Sequence, residues 1–424
     1  MVTSLVRVGS LPRAVVPTAL LKVLLAAGVV CTCASASLGD ASLESTGADA
    51  EIRIGNVVPY TGELAAFGAM GKAESDYFDM IDDAGGINGR KVRFLSYDSG
   101  SDPVEMVNLT RRLVEADKVL LPFASFGTLG NLAVRGYLNE RQIPQLFVAS
   151  GDDEWAHPER FPWTMGWPPA FRTEGWIYAN YIQAYYPGKK IAVLWQRDEF
   201  GRDLYRGLED GFGDSSSLIV SDITFDLTDK SLDTQIDVLR NSGAEILVFD
   251  GAPAMAARAI RHLADIDWHP VFLLDNASAS IANALRPAGL ENSTGVVSTA
   301  YLKDASDPAW ADDADMKAFL SFMYRYYPEG DKDDSYAIFG YAVAHALTEV
   351  LKRCGDDLSR SCVSRQAQSL RNLHIPVMLP SIVVNISPTD YHPIKQMRLV
   401  QFDGRSWQPI GDVIDSAFVG SNVR

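Results

Sequence analysis

Apolar and polar positions along this chain switch repeatedly between the two-residue period of a strand and the wider spacing of a helix. The most informative stretch is residues 52–68, where an apolar strand runs into a Pro-Tyr-Thr-Gly turn and a small-residue segment that opens a helix. Residues 70–89 have helical spacing closed by Gly85-Gly86, and residues 91–97 form an alternating strand. The predicted buried positions of this helix include Tyr77, Phe78, Met80 and Ile81. The chain therefore opens with a β-α-β unit.

Strands and helices continue to alternate through the rest of the chain. Further strands are predicted at residues 119–123, 143–148, 190–195, 219–225, 246–249, 271–274 and 295–300. Helices are predicted at residues 135–140, 173–185, 201–212, 234–241, 254–266, 311–327 and 336–352. A Pro- and Trp-rich passage at residues 158–167 separates two series, and residues 397–402 and 407–409 form a hairpin. This order predicts an α/β fold of two Rossmann-like lobes with parallel-rich, helix-covered sheets.

Composition and charge limit the class of protein. The 424 residues are 47% hydrophobic and 22% charged, which is enough to bury the cores of two domains and argues against disorder. The net charge is −16, and loss of the N-terminal leader, which carries basic residues and no acid, would make it more negative. Such a balance argues against nucleic acid and anionic membranes as partners. It leaves an anionic ligand open, because backbone N–H groups bind anions locally.

The N-terminus has the features of an export signal. Arg7 and Arg13 precede an apolar core at residues 14–30, and Ala34-Ser35-Ala36 has the small-x-small pattern of a cleavage site. We therefore predict a signal peptide over residues 1–36 and a periplasmic protein. A membrane anchor is disfavoured because Pro17 and Lys22 shorten the uninterrupted apolar run.

The cysteines fall into two pairs. Cys31 and Cys33 lie in the leader, where the residues before them are poor matches to a lipoprotein signal, so a lipidated cysteine stays open but disfavoured. Cys354 and Cys362 flank a short loop, and an oxidising compartment favours a local disulfide between them. The six His residues are scattered, so we expect no metal site.

Three motifs near the start of the chain carry a family resemblance. They are G-x-L-A-x-x-G at residues 62–68, G-G-I-N-G at residues 85–89 and Y-D-x-x-x-D-P at residues 97–103. With them, the chain resembles the periplasmic type I solute-binding proteins of the branched-chain amino acid (Leu/Ile/Val-binding) ABC transporter family. The resemblance covers nearly all of the chain after the leader.

The resemblance implies two lobes joined by a three-segment hinge. Lobe 1 would comprise residues 51–170 plus 300–390, and lobe 2 would comprise residues 171–299 plus 391–415. The chain would cross between them near Ala170, Ala300 and Tyr391. A three-segment hinge favours bending of rigid lobes around a cleft.

The candidate ligand site lies in the turns that follow the strands, because open α/β sheets bind ligands at the carboxyl ends of strands. In the family, the turns matching Ser125 and residues 149–151 hold a ligand carboxylate through hydroxyl and N–H groups. Taken singly, each Ser or Gly is better explained as a turn residue; their placement after successive strands favours a site. Trp195 is equally well explained as core or pocket, and Trp155 as a pocket residue or as cover for a lobe surface. The candidate residues are Phe67, Ser125, Phe126, Gly127, Thr128, Ala149, Ser150, Gly151, Phe200, Ala252, Asp275 and Asn276.

The positions that would bind a ligand ammonium group depart from the family. The resemblance implies a Thr, a Tyr and a Glu there, whereas this chain has Gly151, Ala252 and either Asp275 or Asn276. The ammonium site is therefore expected to be weakened. This favours an aromatic or other non-amino carboxylate slightly over a branched-chain amino acid, with an amide or urea-like solute third.

The resulting hypothesis is a monomeric solute-binding component of an ABC importer, which captures a small carboxylate and delivers it to membrane permease subunits. The alternative is a soluble sensor that reports lobe closure to a membrane partner. An enzyme is disfavoured, because the chain lacks G-x-S-x-G, the Walker loop, G-x-G-x-x-G and paired metal-ligating histidines. The carboxylate pairs Asp98 with Asp102 and Asp152 with Asp153 are better explained as solvated turns, and no cofactor is expected.

Overall fold

A computed structural model of the protein describes residues 51–415. The predicted signal peptide, with Cys31, Cys33 and its cleavage site, lies outside these residues. Strands β1 to β11 span Ile52–Val58, Val92–Asp98, Gln145–Val148, Thr164–Gly166, Ile191–Gln196, Ile219–Phe225, Ile246–Asp250, Val271–Leu274, Val297–Ala300, Gln396–Phe402 and Trp407–Asp415.

The helices alternate with these strands through most of the chain. Helices α1 to α11 span Gly68–Asp83, Pro103–Glu115, Thr128–Glu140, Phe171–Tyr185, Glu199–Phe212, Asp233–Asn241, Pro253–Asp265, Arg286–Ala288, Ala314–Arg325, Ser335–Cys354 and Arg360–Ala367. None of the helices between residues 51 and 415 is long and apolar enough to cross a membrane. The predicted α/β fold with largely parallel sheets is confirmed.

The N-terminal sheet is built on β1, which pairs in parallel with β2 from Ile52 opposite Val92. Residues 119–123, predicted as a strand, form only isolated bridges: Pro122 to Gly55 on one side and Phe123 to Leu146 on the other. Proline has no N–H to donate to a ladder, which accounts for the interruption. Because β3 pairs with β4, the parallel order is β2, β1, residues 120–123, β3 and β4.

The second sheet has seven strands in the order β11-β10-β9-β8-β7-β5-β6. Strands β5 to β9 are parallel, whereas β10 runs antiparallel to both β9 and β11. The predicted C-terminal hairpin is therefore confirmed, and it covers one edge of the parallel strands. Three helices that precede or connect these strands, α4, α5 and α7, bury apolar faces against the sheet.

Helix α10 lies between β9 and β10 of the second sheet in the chain but packs against α1. Gly340 allows the close approach, because a Cβ there would lie 2.4 Å from the carbonyl oxygen of Met70. The Tyr77 hydroxyl lies 3.2 Å from His345 Nδ1 across the same interface. The lobe boundaries at the three crossings stay a prediction.

Some boundaries differ from those predicted. Helix α1 ends at Asp83, because Gly85 and Gly86 take positive φ angles and the Gly86 N–H donates to Ile81 O. Tyr77 and Phe78 are buried, whereas Met80 and Ile81 are half-buried. Helix α2 was not predicted, although Asp102 accepts the Val104 N–H as its N-cap and Pro103 is its first residue.

The expected disulfide is not formed in this structure. Cys354, at the end of α10, and Cys362, in α11, are both buried free thiols. Burial, together with a hydrogen bond to the Cys362 side chain, raises the pKa of Cys354, so its thiol stays neutral. Apolar packing of α10 on α11 holds the two segments together without the covalent bond.

Candidate functional site

A large cleft lies where the carboxyl ends of strands from both sheets meet. Its volume is about 570 Å³, within the range of small-molecule sites. The turns after β1, β3, β5, β7 and β8 all contribute to its lining, as Pro59, Ala149, Asp198, Ala252 and Asn276 illustrate. This is the location that an open α/β sheet favours for a ligand.

Nine of the twelve predicted ligand-binding residues line this cleft. They are Phe67, Phe126, Gly127, Thr128, Ala149, Ser150, Phe200, Ala252 and Asn276. Ser125, Gly151 and Asp275 do not line it. The structure thus brings most of the predicted positions together, and their contact with a ligand stays a prediction.

The three remaining residues contact backbone groups of the segments around the cleft. The Ser125 hydroxyl accepts the Val57 N–H at 3.2 Å. The Asp275 carboxylate accepts the N–H groups of Gly251 and Ser278 at 3.2 and 2.9 Å. Gly151 lies so close to the next segment that a Cβ would be 2.4 Å from Pro169 O. Position after a strand therefore did not distinguish cleft residues from those that brace the turns.

Two hydroxyls stand at the start of α3. Thr128 Oγ1 and Ser150 Oγ lie 2.8 Å apart, and both residues line the cleft. One of the two protons is used in this hydrogen bond, which leaves the other for a ligand. The expected donors in the turn after β3 are engaged, because the Ala149 N–H donates to Ser125 O and the Ser150 N–H to Val148 O.

The first turn of α3 adds a favourable field for an anion. Its N-cap, Gly127, makes no side-chain capping bond, and Thr128, Leu129 and Gly130 line the cleft. The first N–H groups of a helix lack partners within the helix, and the helix dipole places partial positive charge at this end. The hydroxyl pair and the helix start together can bind a carboxylate.

Aromatic rings form the apolar part of the lining. Phe67 stacks on Phe126 with ring centroids 4.4 Å apart and tilts against Tyr336 at 4.5 Å. Phe171 meets Phe200 edge to face at 4.6 Å. All five residues line the cleft. Such surfaces suit a flat or branched apolar group.

The two tryptophans left open by the sequence lie outside the lining. Trp195 stacks on Tyr205 with centroids 5.4 Å apart. Trp155 is buried, with the Arg135 guanidinium 5.8 Å from its ring centre. Both are therefore packing residues.

The most distinctive residue of the cleft, Glu174, was missed by sequence reasoning. It lies in the first turn of α4, lines the cleft and is only 2% exposed. Its Oε1 lies 2.7 Å from the Tyr178 hydroxyl, and it accepts the Thr299 hydroxyl at 2.7 Å and the Asn276 N–H at 2.8 Å. Burial raises the pKa of Glu174 to about 7, against the effect of these hydrogen bonds. A glutamate in a first helical turn is common on protein surfaces, so no local pattern indicates that Glu174 is buried.

The remaining charges of the cleft are mostly acidic. Besides Glu174, the lining includes Asp102, Asp198, Glu199, Asp304, Asp307 and Asp333. Its basic residues are Lys303 and Arg398. Lys303 Nζ pairs with Asp313 at 2.7 Å, and Arg398 Nε donates to Gly411 O at 2.9 Å. Within residues 51–415 no group of three or more His, Cys, Asp or Glu side chains is arranged to hold a metal ion.

A family model and the relatives of similar sequence indicate the same protein family. The model of the periplasmic binding protein family matches residues 51–406. An "Amino acid binding protein" of Pseudomonas aeruginosa is 26% identical over 322 residues, which are 73% of this chain and 81% of the relative. A "Leu/Ile/Val-binding protein homolog 1" of Brucella abortus is 22% identical over 315 residues, which are 73% of this chain and 80% of the relative.

Solved structures share the fold at low identity. A branched-chain amino acid ABC transporter protein from Thermus thermophilus with bound valine has a TM-score of 0.78 and 16% identity, covering 88% of this chain and 98% of that one. A fatty acid ABC transporter substrate-binding protein from Thermomonospora curvata has a TM-score of 0.71 and 17% identity, covering 88% of this chain and 94% of that one. At such identities the likeness concerns the fold alone.

Proposed function

The chain belongs to the periplasmic binding protein family, in its branched-chain amino acid ABC transporter type, and from this premise we propose that it is the solute-binding component of an ABC importer. It captures a small carboxylate between two closing lobes and delivers it to permease subunits in the membrane. The protein works as a monomer in the periplasm after removal of its signal peptide. Capture makes and breaks no covalent bond.

The observation that carries the proposal is the hydroxyl pair at the start of α3. Thr128 Oγ1 and Ser150 Oγ, 2.8 Å apart, face one cleft with the first turn of a 13-residue helix. Hydrogen bonds from hydroxyl and N–H groups to an ionised carboxylate are stronger than those to a neutral acceptor. A carboxylate held there leaves the rest of the ligand against the rings of Phe67 and Phe126.

Two kinds of apolar group suit this ring surface. The names of the relatives from Pseudomonas aeruginosa and Brucella abortus support an amino acid with a branched side chain. The departure from the expected Thr, Tyr and Glu at Gly151, Ala252 and either Asp275 or Asn276 supports an aromatic or other non-amino carboxylate. Both classes share the carboxylate, so the proposal covers both.

A thermal-shift screen of the purified protein tests the function. The panel contains leucine, isoleucine, valine, phenylalanine, benzoate, cinnamate and short amides. A ligand at about 100 times its dissociation constant stabilises a protein by roughly 2.7 kcal/mol, so a true ligand gives a clear shift. We expect carboxylates to stabilise the protein and the corresponding amides to do so far less. Each bound ligand should be recovered chemically unchanged.

The opposite pattern would remove the basis of the proposal. If no carboxylate raises the melting temperature, or if amides bind as well as acids, the hydroxyl pair is not an anion site. Conversion of a bound ligand to a product would replace capture by catalysis.

A further inference from the structure

We propose that Glu174 is the specificity-determining residue of the cleft and that its carboxyl group pairs with a protonated amine of the ligand. The inference rests on the proposed function, because it assumes that the cleft between the two sheets holds the solute. It assigns to α4 a role that the sequence placed in the turn after β8. The position expected to carry the family's acid there holds Asn276 or Asp275.

The hydrogen bonds of Glu174 leave one oxygen for a ligand. All three of its hydrogen-bond contacts within residues 51–415, to Tyr178, Asn276 and Thr299, end at Oε1. A carboxylate offers lone pairs on both oxygens. Because Glu174 lines the cleft, Oε2 is the acceptor that remains for a bound molecule.

The same contacts link Glu174 to the turn that the family uses. The Asn276 N–H donates to Glu174 Oε1 at 2.8 Å, so the carboxyl group of α4 reaches the turn after β8 from the other side. Asp275 in that turn is fully buried, and its carboxylate accepts hydrogen bonds from the N–H groups of Gly251 and Ser278. In this cleft the acid of the turn after β8 is used by the backbone, and the carboxyl group that lines the cleft beside that turn comes from α4.

No basic side chain in the described part of the chain lies within ion-pair distance of Glu174. The two basic residues of the lining have other partners, Lys303 with Asp313 and Arg398 with Gly411 O. A buried carboxylate without a counter-ion is unfavourable, and a cation that enters the site supplies the missing partner. The acids Asp198 and Glu199 at the start of α5 add negative charge to the same cleft.

Proton uptake by Glu174 gives this role a measurable signature. Its pKa of about 7 in the free protein means that the group is roughly half protonated at neutral pH. An ammonium group favours the ionised form, so binding of an amine releases a proton and weakens as pH falls below 7. Each unit below that pKa costs about tenfold in apparent affinity. A ligand without the amine meets a protonated Glu174 more favourably and has the opposite pH dependence.

Other titratable groups also face Glu174. Asp250 at the end of β7 and Asp275 after β8 are fully buried, and burial raises the pKa of both well above the usual range. Tyr178 on α4 and Tyr301 after β9 are buried too, with the pKa of each raised by burial and further by the charge of Glu174. These groups stay in place when Glu174 alone is changed, so substitution of Glu174 separates its titration from theirs.

The test uses pairs of ligands that differ only in the amine. Leucine is compared with 4-methylpentanoate, and phenylalanine with 3-phenylpropanoate, by calorimetry at pH 5.5 and pH 8. Repeating each titration in two buffers of different ionisation enthalpy counts the protons released. For the wild-type protein at pH 8, we expect the amino acid that binds more tightly, leucine or phenylalanine, to bind at least tenfold more tightly than its deamino counterpart. We expect its affinity to fall about tenfold or more at pH 5.5.

Variants locate the effect. Glu174→Gln keeps the size and an acceptor oxygen but removes the charge, so amine binding should weaken about 30- to 100-fold and lose its pH dependence. Binding of the deamino ligands should be unchanged or tighter. Glu209→Gln, the same substitution on an exposed position of α5 outside the cleft, is the matched control and should behave like the wild type.

The outcomes separate the two claims. If the deamino acids bind and the amines do not, or if Glu174→Gln binds both as the wild type does, Glu174 does not read an amine although the carboxylate function stands. If neither member of either pair binds but benzoate or cinnamate stabilises the folded wild-type protein, Glu174 does not read an amine although the carboxylate function stands; if no carboxylate of the thermal-shift panel binds, the proposed function fails and this inference falls with it. Should Glu174→Gln not fold, the wild-type pH profile and proton count decide alone, because a pH-independent amine affinity contradicts the proposal.

Discussion

The two sides of the cleft differ in chemistry although both are built from turns and helix starts. The hydroxyl wall, formed by Thr128 and Ser150, presents O–H and N–H donors at the start of α3. The acid wall, formed by Glu174, Asp198 and Glu199, presents carboxyl groups at the starts of α4 and α5. A helix start favours an anion in either case. At the hydroxyl wall no acidic side chain occupies the helix start, so an anionic ligand can bind there. At the acid wall the protein's own carboxyl groups already occupy the helix starts.

This difference gives the cleft a direction. Under the two proposals above, a ligand carboxylate binds at the hydroxyl wall and an ammonium group binds at the acid wall. Opposite ends of one small molecule would then contact opposite sides, so that the molecule itself links them. Closure of such a cleft is stabilised by the ligand only to the extent that both ends are recognised.

The largest expected effect comes from removing the hydroxyl wall. In Thr128→Val with Ser150→Ala, both hydroxyls are lost while the backbone remains. Hydrogen bonds to a charged group contribute about 1.5–3 kcal/mol, so carboxylate affinity should fall about 100-fold or more. Isothermal titration of the double variant measures this loss.

Ser125→Ala is the matched control for the hydroxyl variant. Its hydroxyl holds the Val57 N–H and does not line the cleft. We expect it to lower the melting temperature, since a buried N–H loses its partner, while ligand affinity stays within about twofold. Equal affinity losses in the control and the double variant would show that the hydroxyl wall acts only through folding.

The junction between the walls should be the next most sensitive place. Gly151 follows the hydroxyl wall, and a Cβ there would lie 2.4 Å from Pro169 O and 2.9 Å from the Phe171 ring, just before the acid wall. Gly151→Ala should therefore lower the free energy of unfolding by about 1–3 kcal/mol. Denaturant unfolding gives the value.

Gly136→Ala provides the comparison for that substitution. Gly136 lies in α3 with no atom near its would-be Cβ, so alanine should be neutral or stabilising by up to about 1 kcal/mol. If Gly151→Ala proves as harmless as Gly136→Ala, the junction is loose and the two walls are not fixed by contact there.

The smallest expected effect is on the pH dependence of stability, through the ion network that His392 forms with Asp153 and Asp390. Burial lowers the pKa of His392, but the carboxylates of Asp153 and Asp390 outweigh it and raise the pKa to about 9. Arg172 NH1 lies 3.6 Å from the same Asp153. Since the histidine pKa is raised above its unfolded value near 6.5, its stabilisation is complete below pH 6.5 and is lost as pH rises through 9.

His392→Gln should remove this pH dependence. The His392 side chain is 37% exposed, so solvent screening limits its contribution to about 1 kcal/mol. Unfolding curves at pH 6 and pH 9.5 should differ less in the variant than in the wild type. An unchanged difference would assign the pH dependence to other groups, such as Asp203, whose pKa burial raises to about 8.

The sequence predicted the fold well because the fold depends on patterns that repeat along the chain. Strands β6 and β8 begin and end at the predicted residues, and the antiparallel hairpin joins the two segments predicted for it. The failed strand at residues 119–123 depended on one residue, Pro122, whose missing N–H breaks the ladder.

The site was predicted less completely because a turn fixes where a residue lies but not where its side chain points. Thr128 and Ser150 line the cleft, whereas the hydroxyl of Ser125, three residues before Thr128, accepts a backbone N–H of β1. Glu174 escaped notice because its burial depends on Tyr178, Asn276 and Thr299 together. Asn276 and Thr299 are more than 100 positions from Glu174 in the chain, so no local sequence pattern predicts these contacts.

The packing of α1 against α10 has a consequence for the order in which the molecule assembles. Tyr77 and His345, which meet across that interface, are 268 positions apart in the chain. Closing so long a loop costs entropy before any contact compensates for it, and folding of such topologies is slow. Tyr336, on the same late helix, completes the ring cluster with Phe67. A nascent chain that ends before Ser335 therefore lacks the helix that packs on Met70 and Ala73 of α1, and its cleft lacks one of its rings.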